Sequence, residues 1–396
     1  MNSSPTTLIR ALARPGAVAV SHNPLMIDYA RLGTSAVRFR HADSFLMQAR
    51  DRAGSSTAPR PDLVEQVLAF FEERLARCFD LPEAVFARLI AMFRAAAQPV
   101  VEAAAHDLEA LQSLPWLPET LWSGSAGAYA TRSLAIAVRR RGGISVGFDH
   151  GGTASLVDDR PFMTLFEFGL RQRYVMPTVQ AVNIQEHVHK PDPDLGFGGV
   201  HFESSRGDPT FRRVAALPQR PKGSRARILY VVTTYGGLWH RLPPLLPDLL
   251  AVGIQRQVLE ILRGLDAEIQ VRPHPETKLN GRPHPLANDA NFANGPFREA
   301  LAAADILVFD YPQTTTLWET ACTDRPIILI DSGIANFNAL ARDMIDRRIR
   351  RISVQWEENG LPTVPKDAFH DAIESALPER ADPSEFLSLL AGIEAA

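Results

Sequence analysis

The sequence predicts an α/β protein of two Rossmann-like domains facing each other across a cleft, one over residues 1–223 and one over 224–396. Three observations carry this. The chain has 396 residues, 45% of them hydrophobic, enough for two domains of ordinary size with a core each. From residue 227 onward, short apolar runs alternate with helical ones, the pattern of a parallel, doubly wound sheet. One earlier stretch, PETLWSGS through ISVGFDHGG, shows the same strand–helix–strand order.

Taken in order, AVAVS (17–21) reads as a short strand. In PDLVEQVLAFFEERLARCF (61–79), Leu63, Val67, Phe70, Phe71, Leu75 and Phe79 have helical spacing. The following LPEAVFARLIAMFRAAAQPVVEAAAHDLEAL continues as helix, with its phenylalanines expected in the core. GAYATRSLAIAVRRRGG is an amphipathic helix closed by glycines, its three arginines suited to the C-terminal dipole. ISVGFDHGG is a buried strand ending in a polar, glycine-rich turn. Residues 185–225 read as irregular, rich in proline, glycine and charge, with Gly223 and Ser224 as the crossing point between domains.

The second half is cleaner. RILYVVTTYGG (227–237) reads as strand and turn, IQRQVLEILRG (254–264) as helix, and AEIQVRPHPE (267–276) as strand and loop. FREALAAA, ADILVFD, TTTLWETACT and RPIILID (325–331) then alternate helix, strand, helix, strand, and 366–377 and 383–395 close the domain as helices.

Composition excludes several functions. A net charge of −3 gives no case for nucleic acid held by bulk charge. Only four basic residues are lysine, so arginine is the default cation and a single arginine is a weak signal. Cys78 and Cys322 stand far apart without metal-ligand spacing, as in a reducing compartment. The N-terminus lacks a signal-peptide apolar region and no run of 18 apolar residues occurs, so the chain is expected to be cytoplasmic. No P-loop, dinucleotide fingerprint or zinc spacing is present, and the DPD at 192–194 sits in a proline loop, so no metal is expected.

In open α/β sheets, ligands bind beyond the carboxyl ends of the strands. Those ends carry Thr233, Thr234, Tyr235, Gly236 and Gly237; Arg272, Pro273, His274 and Pro275; Asp310 through Thr316; and Asp331, Ser332 and Gly333. Hydroxyls, glycines, an arginine and a histidine on one edge suit a phosphate-bearing nucleotide. Thr314, Thr315 and Thr316 open a helix, where free amides and the dipole favour an anion. The plainer reading is a capping box of Thr316 with Glu319. In the first half, Asp149 and His150 follow a buried strand and precede two glycines. They are candidates for nucleophile or general base. Glu167 and Glu203 are further carboxylates, and His187 and His189 read as surface loop residues.

The run strand-RPHP, strand-D-x-x-x-T-T-T-x-x-E and a strand opened by R-P-I resembles glycosyltransferases of the two-domain GT-B type. More narrowly, it resembles bacterial surface-polysaccharide transferases that use CMP-activated sugars, and the HGG turn is similar to that of β-Kdo transferases. The resemblance covers roughly residues 120–335. It implies that Thr234, Gly236, Gly237, Arg272, His274, Pro275 and Thr314–Thr316 bind the nucleotide, and that Glu319 contacts ribose or base. It implies a catalytic site of Asp149, His150 and Glu203, with the acid being Asp149 or a residue further along such as Glu167, Glu203 or Asp208. The implied reaction moves Kdo or a related ulosonic acid from CMP-sugar to a lipopolysaccharide or capsule glycan, retaining and without cofactor or metal. Peripheral contact with the inner membrane or other polysaccharide-assembly enzymes is implied as well. A sialyltransferase, a CDP-glycerol-type polyol phosphotransferase and a non-catalytic nucleotide-sugar-binding scaffold are the alternatives.

Overall fold

The computed structural model describes residues 16–32, 36–54, 61–125, 127–158, 163–189, 199–217, 225–235, 246–275, 277, 279 and 281–394. Gly223–Ser224, the expected crossing point, lies outside them, as do Gly236 and Gly237.

Two parallel α/β sheets are present. The first contains β1 (Ala17–Ala19), β2 (Val37–Phe39), β3 (Thr120–Ser123), β4 (Ile144–Phe148), β5 (Arg173–Met176) and β6 (His201–Ser204), in the order β2-β1-β3-β4-β5-β6. The second contains β7 (Ala226–Val231), β8 (Ala267–Arg272), β9 (Ile306–Phe309), β10 (Ile327–Asp331) and β11 (Ile349–Ser353), in the order β11-β10-β9-β7-β8. In both sheets the first two strands lie on one side and later strands on the other. The order therefore reverses between β1 and β3 and between β7 and β9, the switch points where doubly wound sheets bind ligands.

The helices are α1 (Pro24–Leu32), α2 (Ala42–Ala53), α3 (Pro61–Cys78), α4 (Glu83–Ser113), α5 (Tyr129–Arg140), α6 (Val179–Val188), α7 (Pro209–Ala215), α8 (Asp248–Arg263), α9 (Phe297–Ala303), α10 (Thr315–Ala321), α11 (Arg342–Arg348), α12 (Lys366–Ala376) and α13 (Ser384–Phe386), the last running on into a π-helical turn, Leu387–Ala391. By compactness the chain forms one unit of residues 1–148, 164–174 and 192–201, and another of 149–163, 175–191 and 202–396.

The second sheet is built as its sequence predicts. Every residue of ILVF in β9 and IILID in β10 is buried, as parallel strands covered on both faces require. Helix α8 lays Ile254, Val258, Leu259 and Leu262 into the same core as Ile228, Tyr230 and Val308.

Three expectations need correction. The 185–225 stretch is not irregular throughout: it contains the end of α6, strand β6 and helix α7. The overlooked signal was Asp208-Pro209, an N-cap whose Oδ1 accepts from Thr210 N at 2.6 Å, followed by proline at the first helical position. His187 accordingly sits on a helix rather than a loop. The phenylalanines of α4 are not in the core: Phe86 and Phe93 are half-buried. Strand β11 and a small hairpin of Gln355–Trp356 with Pro362–Thr363 extend the second domain beyond the four strands expected.

One arginine closes α10. Arg348 is 7% exposed, and its guanidinium donates to the carbonyls of Ala321 (3.1 Å), Thr320 (3.0 Å), Thr323 (2.7 Å) and Arg325 (2.9 Å). Burial pushes it down to about 10, still charged at neutral pH. Arg348→Ala would strand four buried carbonyls, and we expect a loss of roughly 3–5 kcal/mol of unfolding free energy. Denaturant unfolding checks this, and a loss below about 1 kcal/mol would mean that water replaces the guanidinium.

Candidate functional site

The second sheet's switch point is bridged by Asp310, at the carboxyl end of β9. Its Oδ1 accepts from Thr233 N at 2.7 Å, which ties the loop after β7 to the end of β9. Its Oδ2 accepts from the Tyr230 hydroxyl at 3.0 Å and from Gln255 Nε2 at 2.8 Å, and the Tyr235 hydroxyl donates to Gln255 Oε1. Burial pushes Asp310 up to about 6, against the stabilising donation from Gln255, Thr233 and Tyr230. Gln255 is fully buried on the apolar stripe of α8, and that polar residue in an apolar stripe is the sequence signal for this network. Thr277 Oγ1 donates to Thr234 Oγ1 at 3.4 Å, which joins the loops after β8 and β7.

The polar turn after β4 belongs to the same compact unit. Asp149 is 2% exposed and its carboxylate accepts from the main-chain N–H groups of His150, Gly152 and Ala154. Gly151 and Gly152 have φ of +81° and +75°, a left-handed pair that bends these amides back towards the carboxylate. The Gly151 main chain lies directly against Thr315: a methyl at residue 151 would collide with Thr315 Oγ1 and come within 3.1 Å of its Cβ. Beyond the turn, Val157 bridges Phe337, Asp158 N donates to Asn336 O at 2.8 Å, and Asn338 N donates to Leu156 O at 2.9 Å.

Three buried carboxylates interact here. Burial pushes Asp149 up to about 7, and the charge of Asp208 adds to the shift. Burial raises Asp208 too, opposed by its bonds from Thr210 and the charges of Arg213 and His150. Burial pushes Glu319 up to about 7, opposed by Arg298 and Arg213 and assisted by Asp208. Asp149 and Glu319 therefore exchange protons near neutral pH, the property general acid–base chemistry uses. His150, next in the chain to the most buried of the three, is exposed.

The other predicted residues divide. Thr314 is the N-cap of α10, yet its side chain makes no capping bond; its Oγ1 lies 2.9 Å from Thr316 Oγ1. The capping box of Thr316 with Glu319 is therefore not formed, because the helix starts two residues earlier and Glu319 turns into the interior. All three threonines are half-buried. Arg272 donates one N–H to Ala293 O at 3.0 Å, so part of its fork holds the segment beside β8. His274 is half-buried and Pro275 exposed, in the loop after β8. Glu203 is half-buried on β6, whereas the carboxylate acting on Asp149 is Asp208. Asp331 is committed to structure: Arg351 donates to its Oδ2 at 2.6 Å and Gly333 N to its Oδ1 at 2.9 Å.

No family model matches the chain, and no curated protein matches it. Solved structures similar to it include the wall teichoic acid polymerase TagF, 13% identical over 70% of this chain and 68% of that one with a TM-score of 0.35. The glycotransferase of kitacinnamycin is 14% identical over 95% and 94% of the two chains, with a TM-score of 0.42. The glycosyltransferase SnogD from Streptomyces nogalater is 12% identical over 94% and 95%, with a TM-score of 0.37. At these values the likeness says nothing about this chain's activity.

Two outcomes follow from the site's geometry. Gly151→Ala is expected to cost about 2 kcal/mol, from the left-handed φ and the clash together. Thr315→Ala in the same chain should recover part of it, and additive losses in a double-mutant cycle would deny the contact. Glu319 binds its proton more tightly in the folded state, so its stabilising contribution is full below about pH 4.5 and is lost as pH rises through about 7. Relative to Glu319→Gln, the native chain should lose of order 2 kcal/mol between those limits. Thermal midpoints across pH check this; parallel curves would place Glu319 in contact with water.

Proposed function

We propose that this chain is a glycosyltransferase that moves Kdo or a related ulosonic acid from a CMP-sugar to a lipopolysaccharide or capsule glycan. What carries the reading is the Asp149-His150-Gly151-Gly152 turn, packed against the first residue of the threonine-led helix after β9. A candidate base and a set of hydroxyls thereby sit within one turn of each other.

The donor's phosphate would meet the hydroxyls of Thr314 and Thr316, with His274 and the guanidinium of Arg272 near the same sheet edge. Glu319, part of the buried carboxylate group, would act through those charges rather than through the ribose. Thr234 would line the edge at the switch point. CMP departs from such a donor as a phosphate monoester and needs less charge neutralisation than a departing nucleoside diphosphate. The donor substrate then requires no metal or cofactor.

The burial of Asp149 favours a base over a covalent route. A carboxylate that is 2% exposed and holds three main-chain N–H groups is poorly placed to attack a sugar. In the route we favour, an acceptor hydroxyl attacks the anomeric carbon and its proton passes to the exposed imidazole of His150. The bond from that carbon to the phosphate oxygen breaks, and its electron pair departs with CMP. A single displacement of this kind inverts the anomeric centre. Asp208 stabilises the imidazolium by its charge, and Asp149 holds the turn in place.

Calorimetry with CMP, CDP, UDP and GDP, with and without EDTA, tests the donor. CMP preference that survives EDTA is expected; preference for UDP or GDP, or no binding, overturns it. Turnover of CMP-Kdo, CMP-sialic acid and CDP-glycerol in parallel separates the substrate classes. His150→Ala should lower kcat by about 10²–10⁴ while leaving CMP affinity unchanged. CMP binding without turnover of any donor would indicate a binding scaffold.

A further inference from the structure

Within the second compact unit, α13 and the π-helical turn Leu387–Ala391 touch every element that carries one of the three buried carboxylates. A helix end leaves its last carbonyls without intrahelical partners. Here three of them are taken by the surroundings of the site. Leu389 O accepts from Thr178 Oγ1 at 2.7 Å, Leu390 O from Asp208 N at 2.8 Å, and Ala391 O from Arg212 Nε at 2.8 Å. Asp208 is the N-cap of α7 and Arg212 lies on α7, so two of the three bonds fix the element that carries the second carboxylate. The main chains meet there as well. A methyl at residue 207 would collide with the Ala391 carbonyl, and one at residue 392 with the carbonyl of Arg206.

On the side of the Asp149 turn, Leu390 Cδ2 and Phe211 Cζ would stand 2.9 and 3.1 Å from a methyl at residue 152. The turn is thus held from both sides, Gly151 by Thr315 and Gly152 by Leu390 and Phe211. Towards α10, Phe386 lies parallel to Trp318, the residue before Glu319, with ring centroids 6.0 Å apart, and Cys322 Sγ donates to Phe386 O at 3.6 Å. Phe386, Leu389, Leu390 and Ala391 are all buried.

We infer that this helix end positions the carboxylate group: Leu390 and its carbonyl set where Asp208 stands relative to the Asp149-His150-Gly151-Gly152 turn. Leu390 acts through Asp208 and Gly152 and is a positioning residue. Its effect on proton transfer to His150 rests on the reaction proposed above; its effect on Asp149 does not. Asp149 is raised by burial and then by the charge of Asp208, while its three main-chain donors come from its own turn. Asp208 faces Arg213 and His150, and Glu319 faces Arg298, Arg213 and Asp208. Loosening the helix end admits water beside Gly152 and frees Asp208 to move. Both changes lower Asp149, and the donors within the turn remain.

Carboxyl-carbon NMR of the full chain with ¹³C-labelled aspartate follows Asp149 through pH, with Asp149→Asn assigning the signal and no donor present. We expect a midpoint of about 7 in the native chain. In Leu390→Ala it should fall by roughly one pH unit or more. Thr178→Val deletes one of the three bonds and should give a smaller fall, which Thr178→Ser restores. If Leu390→Ala does not fold, the Thr178 pair decides. Ile373→Ala, in the core beneath the second sheet, is the control for general loosening and should leave the midpoint in place. A midpoint unmoved by Leu390→Ala and Thr178→Val, one moved equally by Ile373→Ala, or a native Asp149 that titrates in the ordinary carboxylate range overturns the inference. Nucleotide binding does not enter this titration, so failure of the CMP-sugar reading in calorimetry is a separate outcome.

Discussion

The contact on which the candidate site depends is that of the Gly151 main chain with Thr315. It exists because residue 151 has no side chain and because two successive glycines adopt positive φ. The same bend turns the amides of residues 150, 152 and 154 onto Asp149 and points the neighbouring histidine outward. A buried carboxylate would be costly without those donors, and the turn would have no fixed shape without the carboxylate. Each therefore requires the other, and together they set the catalytic candidates against α10.

Around that contact, burial rather than ion pairing governs the charge. Asp149, Asp208 and Glu319 are each raised first by desolvation, and Asp208 acts on both of the others. Arg213 and Arg298 act in opposition without neutralising the group. Asp310 is also raised by burial, yet its oxygens are taken by Thr233, Tyr230 and Gln255, so it shapes the sheet edge instead of exchanging protons.

The chain's preference for arginine has a structural use. Arg348 satisfies the carbonyls at the end of α10, and Arg171, 2% exposed, donates to Ser145 Oγ at 2.7 Å and to Ser123 in the first unit. A planar fork reaches several acceptors at once, so it can be buried where an ammonium would leave bonds unmade. That is why individual arginines in this sequence point to function so weakly.

By itself, the sequence determined the alternation of strands and helices in the second half, the buried strand before Asp149 and the polar turns at the strand ends. These are local: a run such as IILID can only be covered on both faces, and a glycine pair after a strand can only turn. The tertiary structure alone decided which polar groups meet. Periodicity could not foresee that Asp208, 59 residues beyond Asp149 in the chain, would sit within its electrostatic reach. Nor could it show that Glu319 faces inward, since a capping pattern is equally satisfied by a helix that starts two residues earlier. It misplaced the phenylalanines of α4 for a similar reason. Helical spacing shows that a helix has an apolar face, and only packing shows whether anything in the same chain covers it.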